Sequence, residues 1–526
     1  MSASTSIKLA ILLSLLFSFL FFSCATPKEK KTEKPNILFI LSDDHTAQAW
    51  GLYGGILEDY VQNQNIKRIA NEGAVLTNAF CTNSICTPSR GSILTGQYSH
   101  VNQVYTLNEP IPKGHPNIAK TFRKNGYQTA VIGKWHLVEE PEGFDYFNVL
   151  PGQGEYWNPV LKTKENWKDG RDGTAGKQYE GFSTDIITDL TIDHLKKRDT
   201  SKPFMMFCNF KATHEPFDYP ERFASLYGND TIPEPNSLMD FGKEATGRTF
   251  KGQKLENLAT RWQKATDSDT FWTDYPGLPY PLEGLDSIQK RKKIYQKLVK
   301  DFMRCGAAID DNIGKLLDYL QTEGIADNTI VIYTADQGYF LGEHGFFDKR
   351  LIYEESLRMP FVIRYPKEIK GGQRIDDIIL NIDFSALLAD YAGIDKPNYI
   401  QGESFRENLK GKTDKNWRKQ MYYRYWLHHP DRPAHFGIRN ERYKLAFFYG
   451  QDLDKKGTSK ETTAPSWEFY DLEEDPKELS NRIDDVTYAA IIENMKLELI
   501  AERKKYADLD ENYPVMRTLL SQAKLE

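Results

Sequence analysis

Cysteine is scarce in this chain, with five residues among 526. A small disulfide-stapled scaffold is excluded by that count at that length. The length suits two or three domains, or one large α/β domain with an appendage. An excess of positive charge is also lacking. The formal net charge is −6, and no nucleic-acid partner is expected without a basic surplus. Beyond the N-terminus there is no apolar run of about 20 residues, so no membrane span is expected in the body of the chain. Histidine and cysteine never cluster at zinc-ligand spacing, and no internal repeat is visible. Apolar residues, by contrast, make up 40% and aromatics 13%, enough for a sizeable core.

The N-terminus differs from the rest. Lys8 precedes an apolar run from Leu9 to Phe22, closed by Ser23-Cys24-Ala25. A short basic region, an apolar stretch and a small residue before the cut read as a secretory signal over residues 1–24. A cysteine at the cut resembles a bacterial lipoprotein signal, with Cys24 lipidated. Phe21 and Phe22 depart from the usual lipobox, and an ordinary signal peptide cut nearby is the other reading. Residues 25–34 are charged and apolar-poor and read as a tether. The expectation is an exported protein, periplasmic or at the cell surface, held to the outer membrane only through a lipid. Cys81, Cys208 and Cys305 leave room for one disulfide that the sequence does not assign.

Four apolar runs read as buried strands ending in polar residues. Pro35–Leu41 leads into Ser42-Asp43-Asp44-His45, and Thr129–Gly133 into Lys134-Trp135-His136. Phe204–Phe210 leads into Lys211-Ala212-Thr213-His214, and Thr329–Tyr333 into Ala335-Asp336-Gln337-Gly338. A helix ends over Lys120–Gly126, and Ala308–Glu323 has helical spacing. Strands alternating with helices imply an α/β fold, a mostly parallel sheet with helices on both faces. Sites in such sheets lie beyond the carboxyl ends of the strands. Asp43, Asp44, His136, His214, Asp336 and Gln337 are therefore expected to converge. Asp218–Leu285 reads as a long insertion with little regular structure, of the kind that carries specificity. After about residue 416 the texture changes. His435–Tyr449 and Trp467–Leu472 read as short antiparallel strands, and Tyr488–Tyr506 as a closing amphipathic helix. The expected division is 35–415 and a smaller α+β subdomain over 416–526, with an antiparallel sheet.

Adjacent carboxylates such as Asp43-Asp44 repel unless a cation lies between them. A turn or capping pair would explain them alone, but Asp336-Gln337 at another strand end favours a metal. Oxygen ligands of this kind suit a hard cation such as Ca²⁺ or Mg²⁺, and the neutral Gln337 carbonyl favours Ca²⁺. A lone Cys86 is ordinarily a buried structural thiol. Here Pro88 fixes a turn, Arg90 sets a cation one helical turn on, and a following helix would direct its anion-favouring N-terminus at the site. Lys134 and His136 would face the same way on an extended segment. His214 gains from its strand-end position. Lys349 follows Asp336 within a short loop, with a solvated surface lysine as the bland reading. His344 and Arg350 are weaker candidates, for structural roles.

Cys86-Thr87-Pro88-Ser89-Arg90-Gly91 followed by Leu94-Thr95-Gly96 resembles the signature of the type I, formylglycine-dependent sulfatases within the alkaline phosphatase superfamily. Pro35–His45, Asn78–His100, Gly133–Leu137, Thr213–Glu215, Tyr333–Arg350 and Trp467–Pro476 match in order. The resemblance implies an alkaline-phosphatase-like catalytic domain over 35–415. It also implies that Cys86 is oxidised to formylglycine (3-oxoalanine) by a formylglycine-generating enzyme. It assigns one Ca²⁺ to Asp43, Asp44, Asp336, Gln337 and the modified Cys86; Gln337 stands where the family often has Asn. Arg90 would hold the formylglycine hydrate, Lys134 and Lys349 the sulfate oxygens. His136 would act as base and His214 as acid toward the leaving oxygen. Gly143–Gly154 and Gly437–Lys444 resemble bacterial carbohydrate sulfatases, N-acetylglucosamine-6-sulfatase-like and ulvan-type. The expected partner is a sulfated polysaccharide or its oligosaccharides, with an algal polymer such as ulvan placed ahead of glycosaminoglycans. A phosphatase or phosphodiesterase of the same superfamily and an inactive glycan-binding lipoprotein are the competing readings.

Overall fold

A computed structural model of the chain describes residues 34–239, 250–268 and 274–522. The signal, Cys24 and all of the tether before Lys34 lie outside the described residues. From Pro35 on, the chain forms one compact unit.

Its centre is a sheet of ten strands. In chain order these are β1 (Asn36–Ser42), β2 (Ala74–Leu76), β3 (Gln128–Lys134), β4 (Tyr146–Leu150), β5 (Val160–Thr163), β6 (Lys177–Gln178), β7 (Phe204–Asn209), β8 (Thr329–Ala335), β9 (Phe361–Arg364) and β10 (Gln373–Ile375). The spatial order is β10-β2-β9-β8-β1-β7-β3-β4-β5-β6. The middle five, β8-β1-β7-β3-β4, are parallel throughout. That explains why β1 reads Ile-Leu-Phe-Ile-Leu without alternation: both of its faces are covered. Leu38 and Ile40 face one core cluster with Ile309, Ile313 and Leu316. Ile37, Phe39 and Leu41 face the other, with Phe122, Phe384 and Leu388.

The covering helices are α1 (Gln64–Asn71), α2 (Cys86–Thr95), α3 (Ile118–Lys124), α4 (Ser183–Lys196), α5 (Leu255–Asp267), α6 (Ser287–Thr322) and α7 (Phe384–Tyr391). The helix expected over Ala308–Glu323 is the second half of α6, which begins two turns before Ile294. Asp286 caps it: its carboxylate accepts from Gln289 N, and the Gln289 side chain accepts from Asp286 N in return. The Asp218–Leu285 insertion needs correction. It contains α5, whose Leu255, Leu258 and Trp262 are buried at helical spacing; the surrounding Pro and Gly residues masked that stripe. The single disulfide left open is also absent among the described residues, since Cys81, Cys86, Cys208 and Cys305 are free and buried. No helix among them is long and apolar enough to cross a membrane.

The second sheet is an antiparallel meander of four strands, β11 (Gln420–Tyr425), β12 (His435–Asn440), β13 (Tyr443–Phe448) and β14 (Ser466–Asp471). The sequence predicted the last three; β11 went unread. Helix α8 (Ala489–Lys505) buries Ile492, Met495 and Leu499, but it is not the closing element expected, since a further helix over Pro514–Gln522 follows it and buries Met516 and Leu520. Tyr422, Phe436 and Phe447 of the meander share a core cluster with Phe361 of β9.

A buried ion pair fastens the end of the chain to β11. Arg424 bonds both oxygens of Asp508, Tyr422 donates its hydroxyl to the same carboxylate, and Arg503 lies 3.5 Å away. Burial alone would raise the Asp508 pKa, but Arg424 and Arg503 outweigh it and hold the carboxyl well below the usual range. Asp508→Asn should therefore lose about 3–5 kcal/mol at pH 7, because it leaves a buried guanidinium unpaired. A depressed folded-state pKa stabilises above the unfolded value of about 3.9 and is lost as pH falls below it. Denaturant titrations at pH 7 and pH 3.5 should show the wild-type advantage shrinking at the lower pH; a constant gap would refute the linkage.

Candidate active site

The parallel register brings the four polar strand ends together. Ser42 lies beside Ala335, and Leu41 beside Asn209. Hydrogen bonds continue past the strands. Asp336 N donates to Ser42 O at 3.2 Å, Asp43 N to Ala212 O at 3.0 Å, and Thr213 N to Asp43 O at 2.7 Å. Asp44 adopts a left-handed φ of 62°, and its amide donates to Asp336 Oδ1 at 3.1 Å. Oxygens of Asp43, Asp44 and Asp336 then lie within 4.8 Å of one another, and Asp43 groups in the same way with Cys86 and His214.

Helix α2 starts at Cys86 itself, so the thiol sits at the amide-rich helix end. All ten of its residues are buried. Arg90, one turn in, donates through Nε to Asp336 Oδ2 at 2.8 Å and through Nη1 to Lys134 O at 2.8 Å, with Nη2 3.7 Å from Asp43. Thr87 Oγ1 donates to His136 O at 2.9 Å, and Ser89 Oγ to Asp336 O. The C-terminal meander clamps this helix from behind. Arg424 N donates to Thr82 O at 3.1 Å, Ser84 Oγ donates to Tyr423 Oη at 2.6 Å, and that hydroxyl donates to Arg350 O at 2.7 Å. One tyrosine thus ties the Cys86 segment to the Lys349 segment.

Lys134 donates to Asp43 and to Gln153, and Lys349 to Asp44. Burial opposes the charge on Lys349, but Asp44 overcomes it and raises the pKa. Asp44 is pushed up to about 6 by burial and by Asp336, against the attraction of Lys349. The Cys86 thiol is pushed up to about 12, chiefly by burial, against Lys349; its Sγ lies 3.7 Å from Gln337 Nε2.

His214 Nδ1 lies 2.7 Å from its own neighbour's carbonyl, Glu215 O, and Nε2 is 3.9 Å from Asp44. A carbonyl only accepts, so Nδ1 carries the proton and Nε2 faces the site. Burial, then Lys134, Lys349 and Lys211, lowers the His214 pKa; burial, Lys134 and Arg90 do the same for His136. The reason given for pairing Lys134 with His136 is corrected. His136 has a φ of 55°, so the segment is not extended there. It is buried all the same, with Nδ1 lacking a partner.

The donor set fits a hard cation. Three carboxylates converge, and Asp43 Oδ1 and Gln337 Oε1 are buried acceptors without a hydrogen-bond donor. An oxygen at residue 86 would complete such a set better than sulfur. His344 and Arg350 support the loop. The His344 ring stacks on Tyr353 at 5.0 Å, and Arg350 bonds Asp348 at 2.9 Å and the Tyr425 hydroxyl at 3.2 Å.

Four participants were not singled out from the sequence: Gln153, Lys211, and the pair Arg261 and Tyr275, which both bond Glu215. Lys211 stood in a predicted strand-end run and was legible there. Arg261 and Tyr275 come from the insertion, with nothing local to mark them.

The sulfatase family profile matches residues 35–394, and that of the N-sulphoglucosamine sulphohydrolase C-terminal region matches residues 342–505. An N-acetylglucosamine-6-O-sulfatase of Bacteroides thetaiotaomicron is 37% identical over 525 residues, covering 93% of this chain and 89% of the relative. An ulvan-active sulfatase of Formosa agariphila is 24% identical over 525 residues, covering 95% of this chain and 88% of the relative. A solved structure in complex with its substrate, D-glucosamine-2-N,6-O-disulfate, matches with a TM-score of 0.81 at 35% identity, covering 91% of this chain and 100% of that one. With the profile spanning most of its length around this constellation, the chain belongs to the sulfatase family and is a sulfuric ester hydrolase.

Proposed function

We propose that the protein removes ester sulfate from a sulfated sugar, with a 6-sulfated glucosamine unit as the preferred substrate. The observation that carries the reading is residue 86 at a helix N-terminus, facing three carboxylates, two lysines and two histidines. The greater identity to the N-acetylglucosamine-6-O-sulfatase than to the ulvan-active enzyme moves the substrate away from the algal polymer expected above. Both candidate ligand groups share Asp43. Among the described residues that favours one metal position over the two typical of the competing phosphatase reading.

As a thiol, Cys86 is a poor nucleophile, because burial keeps it protonated at neutral pH. We take it to be oxidised by a separate formylglycine-generating enzyme to an aldehyde, whose hydrate offers two hydroxyls. One hydroxyl gives its proton to the Asp43 carboxylate, which lies within 4.8 Å of residue 86, as its oxygen attacks sulfur. The sugar oxygen leaves as its S–O bond breaks and takes a proton from His214. The second hydroxyl then gives its proton to His136, the carbon–oxygen bond to sulfate breaks, and the aldehyde re-forms. Lys134, Lys349 and the helix end stabilise the charge on the sulfate oxygens. Arg90 holds the hydrate. Asp43, Asp44, Asp336 and Gln337 would hold one Ca²⁺, which when bound supplies Lewis-acid stabilisation of developing charge. Burial, and after it Lys134, Lys349 and Lys211, disfavours a charged His214 in the empty site; an arriving sulfate anion offsets the lysines and favours the proton His214 is to donate. Export and lipid anchoring at Cys24 belong to the same proposal and rest on residues 1–24 of the sequence.

The direct test is sulfate release by protein whose residue 86 is verified as aldehyde by peptide mass. The panel is N-acetylglucosamine-6-sulfate, glucosamine-2-N,6-O-disulfate, and ulvan, carrageenan and fucoidan oligosaccharides. Release from the 6-sulfated glucosamines is expected; release from ulvan alone would reinstate the algal substrate. Cys86→Ser should fold and melt like the wild type yet lose at least about a thousandfold in kcat. Substantial turnover by that variant would sink the formylglycine mechanism. Ca²⁺ at a hundred times its Kd should stabilise the protein by about 2.7 kcal/mol, read as a rise in Tm. Asp336→Asn should abolish the rise, and an undiminished rise would place the ion elsewhere.

A further inference from the structure

Three buried ammonium groups surround the site, and they are not equivalent. Lys134, Lys211 and Lys349 are 0%, 3% and 4% exposed. Lys134 is bonded to Asp43 and Lys349 to Asp44. Lys211 has no carboxylate within ion-pair distance and no hydrogen-bond acceptor among the described residues. Its one close contact is the face of Tyr156, 4.8 Å from the ring centre. That ring is fixed: its hydroxyl donates to His214 O at 2.6 Å, and it stacks on Phe182 at 5.5 Å. His214 N donates to Lys211 O at 3.1 Å, so one tight turn sets Lys211 and His214 side by side.

Both residues line a cleft of about 360 Å³ together with Gln153, Tyr156 and Trp157. The rest of the lining includes Glu155, Glu215, Asp218 and Asp274. Lys211 is the one lysine or arginine of that lining. The Glu215 carboxylate is already held by Arg261, so an anion entering the cleft meets the carboxyls of Glu155, Asp218 and Asp274 and a single ammonium beside His214. Leaving an ammonium buried and unpaired is costly, and burial accordingly lowers the Lys211 pKa to about 8. A cation that opens on the cleft without a carboxylate partner, beside the reacting groups, is poised for an anion supplied from outside.

We propose that Lys211 is a sulfate-binding residue, donating to an oxygen of the substrate's ester sulfate and retaining the product sulfate. The assignment rests on the sulfatase reading above and adds a third ammonium to the two bound to the metal-site carboxylates. It also orients the substrate: the sulfate lies at the His214 end of the cleft and the sugar extends past Trp157.

The test uses aldehyde-verified enzyme and Lys211→Met. KM for N-acetylglucosamine-6-sulfate and the inhibition constant of inorganic sulfate should both rise roughly tenfold or more, the size of a charge-assisted hydrogen bond. Inhibition by unsulfated N-acetylglucosamine should stay unchanged, and Lys211→Arg should restore part of the sulfate affinity. Because Lys211 is unpaired, Lys211→Met should melt at or above the wild-type temperature, whereas a structural role predicts a lower one. If Lys211→Met does not fold, Lys211→Gln is read in the same way. An unchanged sulfate constant, or equal loss for the unsulfated sugar, overturns the assignment. Should the wild type release no sulfate from this sugar, the substrate reading fails by itself. Calorimetric binding of inorganic sulfate to wild type and variant then still decides the role of Lys211.

Discussion

Three carboxylates held within 4.8 Å of one another in a dry site are the constraint on which this structure turns. Like charges at that distance do not ionise together without compensation. The chain supplies compensation from three directions: Arg90 from a helix, Lys134 from one strand end and Lys349 from a loop. These cations do not saturate the site, since Asp43 Oδ1 and Gln337 Oε1 stay without donors and Asp44 remains hard to ionise. In the proposed function the same charges that neutralise the carboxylates would also serve an incoming sulfate anion. A bound cation would release Lys134 and Lys349 from Asp43 and Asp44 toward that anion.

The scaffold that imposes this crowding is the parallel register of β8, β1, β7 and β3. Beyond their ends, backbone bonds between Asp43 and the Ala212–Thr213 segment fix where His214 can lie. The C-terminal meander is part of the same machinery. Tyr423 binds both the Ser84 and Arg350 segments, so a strand far along the chain holds the Cys86 helix against the Lys349 loop. The insertion acts similarly on the other side. Arg261 from α5 and Tyr275 clamp the Glu215 carboxylate, and the Glu215 carbonyl in turn sets the His214 tautomer.

Much of the site was legible in the sequence because its chemistry is local to strand ends. Asp43, Asp44, Asp336 and Gln337 follow unbroken apolar runs directly, and Cys86 and Arg90 are one helical turn apart. What could not be read depends on long-range geometry or on backbone conformation. His136 reaches the site through a left-handed turn, not through the alternation of a strand. Helix α5 carries only three buried apolar residues amid Pro- and Gly-rich sequence. Strand β11 is buried on nearly every residue yet reads Gln-Met-Tyr-Tyr-Arg-Tyr, and its Arg424 is tolerable inside only because Asp508, distant in sequence, pairs with it. Lys211 carried the right position but no visible partner, and its lack of one is a property of the fold.

Charge compensation also orders the chemistry in time. In the empty site burial, and after it three lysines, lowers the His214 pKa, which opposes the acid role proposed above. A sulfate in the cleft would add negative charge beside those same lysines and offset their share of the penalty on the imidazolium. The proposed mechanism thereby couples the readiness of His214 as an acid to substrate arrival through electrostatics. The acidic walls of the cleft reinforce the order, because they discourage anions everywhere except at its one ammonium. In the proposed mechanism, once the sulfate ester on residue 86 has collapsed to the aldehyde, the lysines hold only inorganic sulfate. The affinity that recruits the ester then limits the release of its product, so each additional ammonium strengthens binding at the expense of turnover.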